Sequence, residues 1–178
     1  MLYVLLSVSG RDRPGICRDM AESLLHLQAN IEDSSMTALR GRFVMMLIVR
    51  LAAGASLSAL RASLAELEQR TGLTIQSQPM TEDEVSARAS EPDCMVTVNG
   101  ADKPGIVHAV TSALAEAGNS VIDMSTRTVE TEDDGEKYMM ALEIAANEPV
   151  DGLRARLARV ADSTSVDIEV HTLETNVL

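Results

Sequence analysis

Seven residues near the start of the chain, Gly10-Arg11-Asp12-Arg13-Pro14-Gly15-Ile16, put a carboxylate, two guanidiniums, a proline and two glycines into one short turn. The set returns as Gly100-Ala101-Asp102-Lys103-Pro104-Gly105-Ile106, with Lys103 standing for Arg13. Proline suits the first turn of a helix, because its φ is preset and its missing N–H is one the helix leaves unpaired. A helix starting at Pro14 or Pro104 directs free N–H groups and a partial positive charge outward, where a carboxylate is stabilised. Asp12 and Asp102 then have two roles open to them, accepting from a ligand's ammonium group or capping the helix. Gly15 and Gly105 allow close backbone approach. The chemistry is non-covalent capture of a small zwitterion; the plain alternative is that Asp-x-Pro-Gly is only a good helix start. Gly10, Asp12, Arg13, Pro14, Gly15 and Ile16, with Gly100, Asp102, Lys103, Pro104, Gly105 and Ile106, form the first candidate set. The second is Asn30, Ile31 and Asp33, with Asn119, Ser120 and Asp123, at the start of the next predicted strand. That strand end is expected to lie near the turn and complete a pocket, or the asparagines cap the preceding helix.

Other reactive side chains form no such pattern. His26, His108 and His171 fall on different elements without ligand spacing, so no metal is expected. Neither a Ser-His-Asp or Cys-His arrangement nor a phosphate-binding glycine loop can be read, so neither catalysis nor a cofactor is expected. The acidic stretch Glu130 to Glu136 lacks the twelve-residue calcium pattern and reads as a solvated hairpin tip. Met45-Met46 and Met139-Met140 sit mid-strand, where one of each pair faces inward to fill a core short of aromatics. Cys17 and Cys94 belong to no Cys-x-x-Cys motif and read as free, buried thiols in a reducing cytoplasm.

The elements that must position the two turns come as a repeat. An offset of ninety aligns the turns and pairs Leu24 with Leu114, Asp33 with Asp123 and Ser35 with Ser125. Through Met45-Met46 and Met139-Met140 the offset reads 94, which implies a longer second hairpin; at Leu60 and Leu153 it reads 93. Each copy opens on an apolar run of strand length, Leu2 to Val8 or Cys94 to Val98. An amphipathic helix follows, with Cys17, Met20, Ala21 and Leu24, or Val107, Val110, Leu114 and Ala117, expected on its buried face. Next comes a hairpin, Asn30 to Leu39 and Phe43 to Leu51, turning at Arg40-Gly41; its counterpart turns at Glu132-Asp133-Asp134-Gly135. A second helix is marked by Leu57, Leu60, Leu64 and Leu67, or by Leu153, Leu157 and Val160. A last strand closes each copy. The order β-α-β-β-α-β predicts an α+β ferredoxin-like unit, a four-stranded antiparallel sheet with both helices on one face. The predicted domains are residues 1–79 and 94–178, joined by a polar, proline-bounded linker at 80–93.

Composition narrows the function classes. Aromatic residues are 2% of the chain and tryptophan is absent, which argues against binding single-stranded nucleic acid by stacking. The net charge is −12. Residues 1–78 hold eight basic and seven acidic side chains, residues 79–178 seven basic and twenty acidic. An acidic half repels phosphate backbones, so direct DNA binding is not expected; it suits either simple solubility or docking on a basic protein surface. No signal segment opens the chain and no apolar run is long enough for a membrane span, so a cytoplasmic protein without membrane contact is expected.

A unit of this order with Gly-x-Asp-[Arg/Lys]-Pro-Gly-Ile after its first strand resembles the ACT domain. Two units with nothing else attached resemble the glycine-cleavage-system transcriptional repressor family, over nearly the whole chain except the linker and the last residues. The Asp-[Arg/Lys]-Pro-Gly turn is also similar to that of formyltetrahydrofolate deformylases, whose catalytic domain has no room here. The resemblance implies paired units, within the chain or across a homodimer, that bind glycine or a similar small amino acid. It implies a co-regulator acting through a DNA-binding activator; a regulatory subunit of an amino-acid or one-carbon enzyme is the other reading.

Overall fold

The computed structural model of the protein describes residues 1–87, 90–131 and 135–173. The predicted second-hairpin tip Glu132-Asp133-Asp134 lies outside the described residues, as do positions 88 and 89 of the predicted linker.

The chain divides into two units, Met1–Arg88 and Ala89–Leu178. In unit one, β1 (Leu2–Arg11), α1 (Ile16–His26), β2 (Asn30–Leu39), β3 (Arg42–Leu51), α2 (Leu57–Thr71) and β4 (Thr74–Met80) follow in order. A five-residue helix, α3 (Glu82–Ser86), lies in the stretch predicted as linker; Thr81 starts it with a reciprocal cap to Glu84. Unit two repeats the order with β5 (Cys94–Ala101), α4 (Ile106–Glu116), β6 (Ser120–Thr131), β7 (Gly135–Ala145), α5 (Val150–Thr164) and β8 (Asp167–Thr172). The sheets run β2-β3-β1-β4 and β6-β7-β5-β8, every neighbouring pair antiparallel. This is the α+β ferredoxin-like arrangement the element order predicts.

Period-two burial shows why these segments are strands. Val4, Leu6 and Val8 of β1 and Phe43, Met45, Leu47, Val49 and Leu51 of β3 face the helices and are buried. Leu60, Leu64 and Leu67 of α2 close over them, and Leu153 and Leu157 of α5 do the same in unit two. Each such leucine contributes about 1.5–3 kcal/mol by leaving water. Between β2 and β3 the two-residue turn has Arg40 at φ 47° and Gly41 at φ 76°, the primed turn that matches sheet twist.

One methionine of each mid-strand pair faces inward, as expected: Met45 and Met140, at 9% and 2% exposure, while Met46 and Met139 face outward at 48% and 49%. Three other expectations are corrected. Phe43 pairs with Gly10 and Tyr138 with Gly100, so the hairpin offset is 95 rather than 94. Offset 95 sets buried Phe43, Met45, Leu47 and Val49 against buried Tyr138, Met140, Leu142 and Ile144, and identity of residue type misled by one. The buried stripe of α1 is Ile16, Met20 and Leu24, with Asp19 and Ser23 beside it, whereas Cys17 and Ala21 are exposed. The helix starts at Ile16, after the Pro-Gly turn, and Ile16 rather than Cys17 heads its buried stripe. Accordingly Cys17 is an exposed thiol and only Cys94 is buried; both are free.

Candidate functional site

Both turns are built alike. Gly15 lies at φ 90°, ψ 1° and Gly105 at φ 99°, ψ −12°, immediately ahead of α1 and α4. Pro-Gly with the glycine in that region is the centre of a type II turn, which an L side chain would strain. Pro14 and Pro104 therefore sit just before the N-cap, and each helix starts two residues later than predicted. Glycine at the N-cap supplies no side-chain acceptor, and neither helix has a side-chain cap. The first-turn N–H groups thus keep their partial positive charge. Asp12 and Asp102 are exposed and do not cap; Asp12 is held by its backbone N–H to the Gly41 carbonyl at 2.9 Å.

The polar surroundings of the turns differ. In unit one Asp19, 7% exposed, accepts from Arg13 Nη2 at 2.6 Å and from Arg18 Nη2 at 2.9 Å. Arg13 first, then Arg18, hold the Asp19 carboxyl below its ordinary range, and Asp19 raises Arg18 in return. The two guanidiniums flank Gly15, whose absent Cβ would meet Arg18 Nη2 at 3.4 Å and Arg13 Nη1 at 3.7 Å. Unit two has Lys103, His108 and Ala109 at the matching positions, and among the described residues no carboxylate pairs with Lys103. There the aromatic is Tyr138 rather than Phe43; burial first and Asp102 second push its hydroxyl pKa up. Ile16 and Ile106 are buried anchors of their helices.

Gly10 and Gly100 serve packing. A Cβ on Gly10 would stand 2.6 Å from Leu73 Cδ2, and one on Gly100 would stand 2.8 Å from Val166 Cγ1. Gly100 also borders an open depression of about 520 Å3 with Ala158, Asp162, Ser165 and Asp167.

The second candidate set does not join the first. Because α1 carries the chain back along the sheet, β1 and β2 run parallel on either side of β3. Asn30 therefore aligns through Arg50 with Tyr3, at the start of β1, about 23 Å along the strands from Gly10. Asn30 Nδ2 donates to Glu32 at 2.8 Å, which also takes Arg50 Nε at 2.6 Å; Asp33 accepts from the Ser34 N–H at 2.7 Å, and Ile31 is exposed. Ser120 and Asp123 occupy the corresponding place in unit two, either side of a bulge after Val121. Asn119 is a buried strut: Oδ1 accepts from the Asn147 N–H at 2.7 Å and Nδ2 donates to Glu148 at 3.2 Å. Its own N–H bonds the Leu114 carbonyl, and Gly118 that of Ala115, which closes α4 in a Schellman motif.

Asp19, Arg18 and Tyr138 were not singled out by sequence reasoning. A carboxylate three positions after Ile16 and one before Met20 was the available signal, since it falls on the buried stripe. Phe43 and Tyr138, two of only three aromatics, were the other, once aligned at the correct offset.

ACT-domain family models match residues 2–78 and again residues 95–162. A UPF0237 protein of Methanopyrus kandleri is 37% identical over 76 residues, which are 42% of this chain and 84% of that protein. A solved structure of a protein of unknown function from Galdieria sulphuraria superposes with a TM-score of 0.79 at 27% identity, covering 97% of this chain and 98% of the other. One assigned provisionally as a glycine cleavage system transcriptional repressor gives 0.75 at 16% identity, covering 97% of each, a likeness of fold. Among the described residues no helix is long and apolar enough to cross a membrane, and no group of three or more His, Cys, Asp or Glu is placed to hold a metal. The duplicated β-α-β-β-α-β unit, its Pro-Gly turn and the two family matches agree: the chain belongs to the ACT-domain family and carries two ACT domains in tandem.

Proposed function

We propose that the protein is a non-catalytic, amino-acid-responsive regulator whose ligand is held at the Asp-[Arg/Lys]-Pro-Gly turns. The observation that carries this reading is the uncapped helix start, made twice by a glycine at positive φ with an acid and a base beside it. A carboxylate belongs at the N–H groups and the Arg13 or Lys103 side, an ammonium at Asp12 or Asp102. Asn30, Ile31, Asp33, Ser120 and Asp123 are left out, because the sheet puts them at its other end; Asn119 is occupied structurally. Domain limits of 1–79 and 94–178 are part of the same proposal.

The finer role is a transcriptional co-regulator of glycine or one-carbon metabolism in the cytoplasm, working as a homodimer through a DNA-binding activator. The fold likeness to the repressor and the acidic second half support a protein partner over DNA. Ligand binding would favour one arrangement of partners by its differential affinity for the two states.

A thermal-shift screen against the twenty amino acids and one-carbon metabolites tests the site. A ligand of the folded state raises Tm with concentration, and the shift disappears in Asp12→Ala or Asp102→Ala. A shift that survives both substitutions removes the turns from the site. An affinity for the activator that no amino acid alters removes the co-regulator role.

A further inference from the structure

The sheet face turned away from the helices differs between the units, and in unit two it is hollowed and charged. Register puts Ser125, Ala141, Thr97 and Glu169 in one row across β6, β7, β5 and β8. The next row is Arg127, Met139, Asn99 and Asp167. All of these but Asp167 line a depression of about 310 Å3, which His171 closes at one corner, 3.2 Å from Glu169. In unit one the same rows read Ser35, Met46, Ser7, Gln76 and Thr37, Val44, Ser9, Thr74. Met46 stands where Ala141 leaves the floor open, and neither charge has a counterpart. The nearby hollow of unit one is only about 190 Å3, and Leu5, Met46 and Ile48 make it apolar.

The geometry points to a second binding site on the open sheet face of unit two, for an α-amino acid with an apolar side chain. Arg127 on β6 and Glu169 on β8 are three strand spacings and two residues apart, about 16 Å at the backbone, and both line the depression from opposite sides. Arg127 has no ion-pair partner among the described residues and offers two parallel donors to a carboxylate. Glu169 takes the ammonium group. Thr97, Ser125 and Asn99 supply neutral hydrogen-bond partners between the charged ends, and Met139, 49% exposed, gives the side chain an adaptable apolar surface. A free anion is disfavoured by the Glu169 carboxylate, and a bare amine leaves Arg127 unmatched, so both charges of the ligand are needed. The site is independent of the turn site proposed above and shares no residue with it.

Titration calorimetry on the full chain tests it, with L-leucine and L-methionine as ligands and 3-methylbutylamine and 4-methylpentanoate as the singly charged controls. Binding of at least one amino acid and of neither control is expected. Arg127→Thr, which copies Thr37, should weaken it by roughly tenfold or more, as loss of one charge-assisted contact does, and Ala141→Met, which copies Met46 and fills the floor, should weaken it comparably. Both are unit-one residues on an exposed face, so folding is retained, and circular dichroism checks it. Binding that persists in both variants, equal binding of a control, or no binding of either amino acid overturns the site. Binding lost only in Asp102→Ala or Asp12→Ala also overturns it, and favours the turns instead.

Discussion

Unit one ties its turn together and unit two leaves its turn loose. Arg13, Arg18 and Asp19 form a closed set around Gly15, whereas Lys103, His108 and Ala109 form none around Gly105. The relation inverts at the other end of the helix. There Asn119 straps unit two through Asn147 and Glu148, while its counterpart Ala29 makes no side-chain bond. The helix stops are also exchanged. Gly118 ends α4 at φ 75° where Gln28 ends α1 at φ 51°, and Gly72 ends α2 at φ 70° where Ser165 ends α5 at φ 56°. Duplicated units thus keep a backbone need and satisfy it with different side chains, so equal folds do not imply equal sites.

The largest predicted contrast lies at the strand-one glycines. A methyl group at Gly100 meets Val166 at its Cγ1, Cβ and Cα, all within 3.3 Å, and a β-branched side chain cannot swing aside. At Gly10 the nearest atom is the far end of Leu73. Gly100→Ala is therefore expected to cost about 2–3 kcal/mol and Gly10→Ala about 1 kcal/mol, read by urea unfolding. Equal losses would break the comparison. Next, Asn119→Ala strands the Asn147 N–H and costs about 1–2 kcal/mol, whereas Ala29→Asn gains nothing because unit one lacks the strap. Smaller and opposite in sign, Gln28→Gly and Ser165→Gly should each stabilise by about 0.5–1 kcal/mol, seen as a higher Tm, since each relieves a left-handed L residue.

The smallest effect is at Asp19, whose partners are partly solvated, and it appears as pH dependence. Folding lowers the Asp19 pKa, so the unfolded chain binds more protons in the acid range. Its contribution is complete above the ordinary carboxylate value and is lost as pH falls through the lowered one. Asp19→Asn should flatten part of the acid limb of stability, measured by denaturation from neutral to acid pH. An unchanged limb would mean the Arg13–Asp19–Arg18 set contributes nothing measurable.

Much of this was legible before any coordinates. Leu60, Leu64 and Leu67, or Leu153 and Leu157, repeat at helical spacing, and Val4, Leu6 and Val8 alternate, because solvent sorts side chains by local period. The duplicated Gly-x-Asp-basic-Pro-Gly turn was equally plain, since φ-restricted residues mark a backbone conformation wherever they occur. Three matters were decided only in three dimensions. Which methionine faces inward depends on cross-strand register, and a single-residue error reverses every face. Whether Asn30 meets Gly10 depends on the direction of β2, which the return of α1 makes parallel to β1. The hollow over Ala141 joins residues of four strands that are up to 74 positions apart, from Thr97 to His171. Local chemistry determines elements because it acts between near neighbours, whereas sites are made where distant segments meet, and only the folded sheet sets that meeting.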